Sequence, residues 1–165
     1  MQKLNLLVAN SERGLTNLIE SLVLDACFER AFVETARIGR ADELVKLASS
    51  GAYQLVIVAA DNLLPGPGLR KSWVSIDQAT QAVATIRSRC ETPVIAVAIR
   101  PDDEIPLLEA GAESVVRLPF EEAKLKLKSE VRRVLKLTDP IAEPKPRKSS
   151  WNELLAQVLQ RLKSA

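Results

Sequence analysis

Gly111-Ala-Glu-Ser-Val-Val-Arg-Leu-Pro-Phe120 is the stretch on which the fold of this chain turns. The glycine opens a turn, Ser114 to Arg117 reads as a short buried strand, and Pro119 stops it abruptly. A charged amphipathic helix, Glu121 to Leu137, follows.

Upstream the same alternation of strand and helix recurs. Leu4 to Ala9 is an uninterrupted apolar run of buried-strand character. Ser11 and Glu12 then open a helix with Leu15, Leu18, Ile19, Leu22 and Val23 on one face. Phe32 to Ile38 is a second strand, and Ala41 to Ser50 a second helix with Gly51 as its C-cap. Leu55 to Ala60 is the most uniformly apolar run and is expected at the centre of a sheet. Asp61-Asn-Leu-Leu-Pro-Gly-Pro-Gly68 is a loop, and Asp77 to Cys90 a helix. Pro93 to Ala98 makes the fourth strand, with Pro93 at the one position where a missing N–H costs little. Asp102 to Ala110 is a short helix.

Five strands each followed by a helix imply parallel pairing, because parallel neighbours need crossover connections. Right-handed crossovers then give an α/β fold, a three-layer α/β/α sandwich around a five-stranded parallel sheet. A ligand would sit at the C-terminal edge of the strands.

Composition narrows the chemistry. The 165 residues suit one domain with a short appendage, and that size needs no disulfide or metal to stay folded. Histidine is absent, which excludes histidine triads, histidine general bases and histidine metal ligands. Cys27 and Cys90 are far apart, with no zinc spacing, and read as reduced packing residues of a cytoplasmic protein. The net charge of +2 gives no drive toward nucleic acid or a membrane surface, and no apolar run approaches the ~18 residues of a membrane span. The N-terminus carries no signal-peptide pattern.

After Leu137 the composition changes. Residues 138 to 150 hold three prolines and no apolar periodicity, which marks a Pro/Lys-rich linker between a domain of residues 1–137 and a terminal segment, 151–165. Ser150-Trp-Asn-Glu153 is a capping box. Trp151, Leu154, Leu155, Val158, Leu159 and Leu162 then form one apolar stripe of an amphipathic helix. So short a helix must bury that stripe: on its own domain, against a second copy, or in a partner's groove.

Three pieces of residues 3 to 137 together resemble the receiver domain of bacterial response regulators, the CheY-like superfamily with a flavodoxin-like fold. Asp61-Asn-Leu-Leu-Pro-Gly66 is similar to the phosphoacceptor loop, Thr92 to Ala98 to the fourth strand, and Gly111 to Phe120 to the fifth strand and its proline turn. The resemblance implies strand order 2-1-3-4-5 and a role in two-component signal transduction. It also implies phosphoryl transfer to an aspartate, assisted by Mg²⁺ between two acids, a hydroxyl and a lysine. Here the acids align with Ala9 and Asn10, the hydroxyl with Ala98 and the lysine with Leu118. The acceptor has two alignments. Counting back from Pro65 gives Asp61, whereas counting forward from Tyr53 gives Ala59.

Chemistry without an anchored cation has little electrostatic support. The expectation is a non-enzymatic pseudo-receiver with no cofactor, acting by phosphorylation-independent protein–protein contact. A residual phosphoacceptor using Asp61 with Mg²⁺ is the alternative. Receivers often dimerise through their fourth and fifth helices, which implies a homodimer surface over Glu104 to Ala110 and Lys124 to Leu135.

Other features have plainer readings. Gly66 and Gly68 make no P-loop, because no Gly-Lys-Ser/Thr follows in register. Trp73 beside Arg70 and Lys71 is either a binding anchor or the cover of its own loop. Lys124, Lys126, Lys128, Arg132, Arg133 and Lys136 form a basic stretch, but Glu121, Glu122 and Glu130 interrupt it and no aromatics interleave. Nucleic acid is therefore not the expected partner.

Overall fold

The strand–helix alternation is realised in a computed structural model, described here for residues 1–60, 63, 76–117, 120–137 and 160–161. In chain order the elements are β1 (Gln2–Ala9), α1 (Arg13–Cys27), β2 (Ala31–Ile38), α2 (Ala41–Ala48) and β3 (Leu55–Ala59). They continue with α3 (Asp77–Arg89), β4 (Val94–Ala98), a 3₁₀ turn over Pro101–Asp103, α4 (Glu104–Glu109), β5 (Ser114–Arg117) and α5 (Phe120–Val134). All five strands pair in parallel in the order β2-β1-β3-β4-β5. The expected order is therefore present.

Period-two alternation sends neighbouring strand residues to opposite faces, so each strand feeds two cores. On one face Leu7, Val56, Val58 and Ala96 pack with Leu44, Val83, Ile86 and Leu107 from α2, α3 and α4. On the other, Leu4, Leu6, Ile57, Ile95 and Val97 pack with Ile19, Val23, Leu127 and Val131 from α1 and α5. Every residue of β3 and β4 is buried, as expected of central strands covered on both faces. At about 25 cal/mol per Å² of apolar area, these two layers are the principal stabilising term.

Several ends differ from the sequence reading. β3 stops at Ala59, one residue before Ala60, and α2 stops at Ala48, two before Ser50. Gly51 follows α2 with φ +76, the left-handed geometry that a C-terminal glycine supplies. α4 shrinks to six residues behind the 3₁₀ turn. α5 ends at Val134 rather than Leu137, because a Schellman turn closes it. There Leu137 N–H donates to the Arg132 carbonyl (2.9 Å), Lys136 N–H donates to Arg133 (3.2 Å), and Lys136 has φ +53. The turn at Gly111 has φ +109, and a Cβ there would stand 2.8 Å from Arg87 Cγ, so glycine is required.

Polar ties fasten α1 to its neighbours. The buried Glu20 carboxylate accepts from Arg37 and from Thr35 Oγ1 (2.8 Å) on β2. The Arg37 hydrogen bond is the main reason its carboxyl is held below the usual range, against the opposing effect of burial. Lys128 of α5 pairs with Asp25, and Arg132 Nε donates to the Ala26 carbonyl (3.0 Å). Burial pushes the Cys27 thiol up, as an unreactive packing cysteine requires.

Candidate functional site

The C-terminal edge of the sheet gathers the ends of β1, β3 and β4. Register brings them together: Ala9 lies opposite Ile38 and Val58, Ala59 opposite Val97, and Ala98 opposite Arg117. Ala9, Ala59 and Ala98 are all buried, and Ala60 beyond β3 is buried as well. Ala9, Ala60 and Ala98 pack into the layer of α2, α3 and α4, and Ala59 into that of α1 and α5, so the strand ends at this edge carry methyl groups on both faces of the sheet.

Asn10 is the polar residue among them, and both ends of its carboxamide are engaged. Nδ2 donates to the Ala59 carbonyl (3.0 Å), while Oδ1 accepts from the Glu12 backbone N–H (2.8 Å). The Asn10 backbone N–H in turn donates to the Ile38 carbonyl (2.9 Å). One side chain therefore stitches the end of β1 to the end of β3 and caps a donor at the start of α1. Sequence reading assigned the opening of α1 to Ser11 and Glu12; Glu12 is the N-cap, yet its side chain makes no capping bond. The bond comes from two residues upstream, an Asx-type arrangement that Asn favours and that was legible in Asn10 itself.

The forward count from Tyr53 names the residue that ends β3, Ala59, which Asn10 contacts. Asp61 and Leu118 lie outside the described residues, as do Trp151, Leu154, Leu155, Val158, Leu159 and Leu162.

A magnesium ion wants oxygen ligands, at least one or two of them carboxylates. Ala9, Ala59 and Ala98 offer no side-chain oxygen, and the one Asn10 Oδ1 is already engaged with Glu12 N–H. Among the described residues there is no group of three or more Asp, Glu, His or Cys that could hold a metal. These residues do not fit the ion.

No protein-family model matches the chain, and no curated protein matches it. Solved structures do. The response regulator domain of Thermotoga maritima CheB aligns with TM-score 0.62 at 16% identity, over 84% of this chain and 100% of that one. The receiver domain of the sensor histidine kinase PA1611 from Pseudomonas aeruginosa, solved with magnesium in its active-site cleft, aligns with TM-score 0.61 at 16% identity. That match covers 81% of this chain and 98% of the other.

The fold is that of a response-regulator receiver domain. A protein named as a CpaE pilus assembly protein, from Burkholderia thailandensis, shares this receiver fold with TM-score 0.57 at 20% identity, over 81% of this chain and 98% of that one. Among the described residues no helix is long and apolar enough to cross a membrane.

Proposed function

We propose that this receiver-fold chain is a pseudo-receiver, a regulatory module of bacterial signal transduction that acts through protein–protein contact without phosphoryl transfer. It is a non-enzymatic cytoplasmic protein with no metal cofactor, built as a domain of residues 1–137, a linker and a terminal interaction helix. The observation that carries this reading is the Asn10 to Ala59 bond at a sheet edge where β1, β3 and β4 end in buried alanines. In-line transfer to a carboxylate needs fixed positive charge where the phosphate oxygens gather. In this reading Ala59 holds the acceptor position, Ala9 and Asn10 the metal-binding positions, Ala98 the hydroxyl position and Leu118 the lysine position. Methyl and amide groups there favour one packed state over a switch between two. The likeness both to kinase-linked receivers and to a protein named for pilus assembly supports a scaffold serving several settings.

The test is direct. The full chain is incubated with Mg²⁺ and acetyl phosphate and its intact mass recorded. The mass is expected to stay unchanged. A single phosphoryl adduct that disappears in Asp61→Asn would sink the proposal and establish Asp61 as an acceptor.

A further inference from the structure

We propose that β2 pairs antiparallel with β2 of a second copy about a two-fold axis at Thr35, joining the two sheets into one. The proposal concerns the lateral edge of the sheet and stands whether or not its C-terminal edge takes a phosphoryl group.

The direction of the backbone groups follows from one bond. Asn10 N–H donates to the Ile38 carbonyl, so Ile38 turns its polar backbone toward β1. Directions alternate along a strand, so Phe32, Glu34 and Ala36 do the same, while Val33, Thr35 and Arg37 turn theirs outward. β2 ends the strand order, and among the described residues no strand pairs with its outer side. Such edges are ordinarily blunted by shortness, lysine, proline or a bulge. β2 has none of these. Its eight residues, Ala31–Ile38, stay in continuous register with β1 and include Phe, Val, Thr and Ile. The opposite edge, β5, has only four residues.

Self-complementarity names the occupant. A two-fold axis at Thr35 sets Thr35 opposite Thr35, Val33 opposite Arg37, Glu34 opposite Ala36 and Phe32 opposite Ile38. Threonine pairs are favourable across antiparallel strands, and no like charges stand directly opposite. The two charges of the strand are balanced inside each copy, Glu34 by Lys3 (2.9 Å) and Arg37 by Glu20. The outward groups of Val33, Thr35 and Arg37 all find partners, giving about six bonds between the copies. An axis at Glu34 would set two carboxylates face to face. An axis at Ala36 would carry Val33 past the end of the other strand, to Gly39.

Apolar side chains flank this edge on both faces. Phe32, on the α2 face, is 60% exposed. On the α1 face, Glu20 bonds Thr35 and Arg37, which sets that side of α1 along the edge. Leu24, one turn beyond Glu20, is 48% exposed, and Phe28, a further four residues on, is 66% exposed. A second copy on β2 would cover them.

The experiment follows the full chain by sedimentation velocity over a dilution series. A species of twice 18.1 kDa is expected at micromolar concentration and above, dissociating on dilution. Thr35→Pro removes an outward N–H and no bond to β1, so it should raise the dissociation constant at least about tenfold with the far-ultraviolet dichroism unchanged. Phe32→Lys, at an exposed position, should do the same and decides the matter should the proline variant not fold. Ile105→Asp, exposed on α4, should change nothing. Under mild oxidation Thr35→Cys, on the axis, should link to its own copy severalfold faster than Glu34→Cys, which meets its copy only on a diagonal. The proposal is overturned if the chain stays monomeric up to about 0.1 mM. It is overturned equally if either β2 variant folds and leaves the dimer intact, or if the two cysteine variants link at the same rate. Dissociation by Ile105→Asp would also overturn it, by placing the second copy on α4.

Discussion

Replacing Asn10 by alanine tests the sheet-edge stitch. The substitution removes two hydrogen bonds, Nδ2 to the Ala59 carbonyl and Glu12 N–H to Oδ1. They are not equal losses. Glu12 is exposed, so water can replace the partner of its N–H at a cost of about 0.5 kcal/mol. Ala59 is buried, and its carbonyl would lose a partner in a site that an alanine at position 10 leaves apolar, costing about 1–3 kcal/mol. The sum is about 1.5–3.5 kcal/mol. Asn10→Asp keeps the shape and the acceptor for Glu12 N–H but turns the donor into an oxygen facing the Ala59 carbonyl. It should therefore retain the smaller contribution and lose the larger. Urea unfolding followed by circular dichroism reads both. With a slope of about 2 kcal/mol per molar urea, Asn10→Ala should move the midpoint down by about 1 M. A loss below about 0.5 kcal/mol for Asn10→Ala would show that the carboxamide holds nothing together, and the closed-edge reasoning would fall with it.

Other outcomes follow from local geometry and charge. Glu29 and Lys136 have φ of +62 and +53, where side chains are strained, so Glu29→Gly and Lys136→Gly should each stabilise by roughly 0.5–1 kcal/mol in the same urea assay. Loss of stability in both would refute the strain assignment. The Glu20 carboxyl is depressed chiefly by its bond from Arg37, so its contribution is present above the ordinary carboxylate range. That contribution fades as pH falls through the lower, folded value. Glu20→Gln should thus be less stable than the parent at neutral pH, with the gap closing on acidification below about pH 4. A gap independent of pH would place the stabilisation elsewhere.

Much of the fold was legible because its signals are local. Apolar runs at Leu4 to Ala9, Leu55 to Ala60 and Pro93 to Ala98, separated by helical periodicity, leave few arrangements other than a parallel sheet. The ends were less legible. The Schellman turn that stops α5 uses a lysine where glycine is the usual marker, so no residue type announced it. Ser50, a plausible last helical residue, instead turns its hydroxyl onto the Leu47 carbonyl (2.6 Å) behind α2.

The order of elements, the two-sided burial of β3 and β4 and the lack of histidine chemistry were settled by residue types in sequence, since periodicity and side-chain chemistry need no partner to be read. The Asn10 to Ala59 bond was not. It joins residues 49 apart, and it exists only because β1 and β3 pair with Ala9 level with Val58. A count along the chain gave both Ala59 and Asp61 a claim to the acceptor position, and the apolar run alone extended the strand to Ala60. Tertiary register ended the strand at Ala59, because hydrogen bonding between neighbouring strands, and not the run of apolar residues, determines where a strand stops.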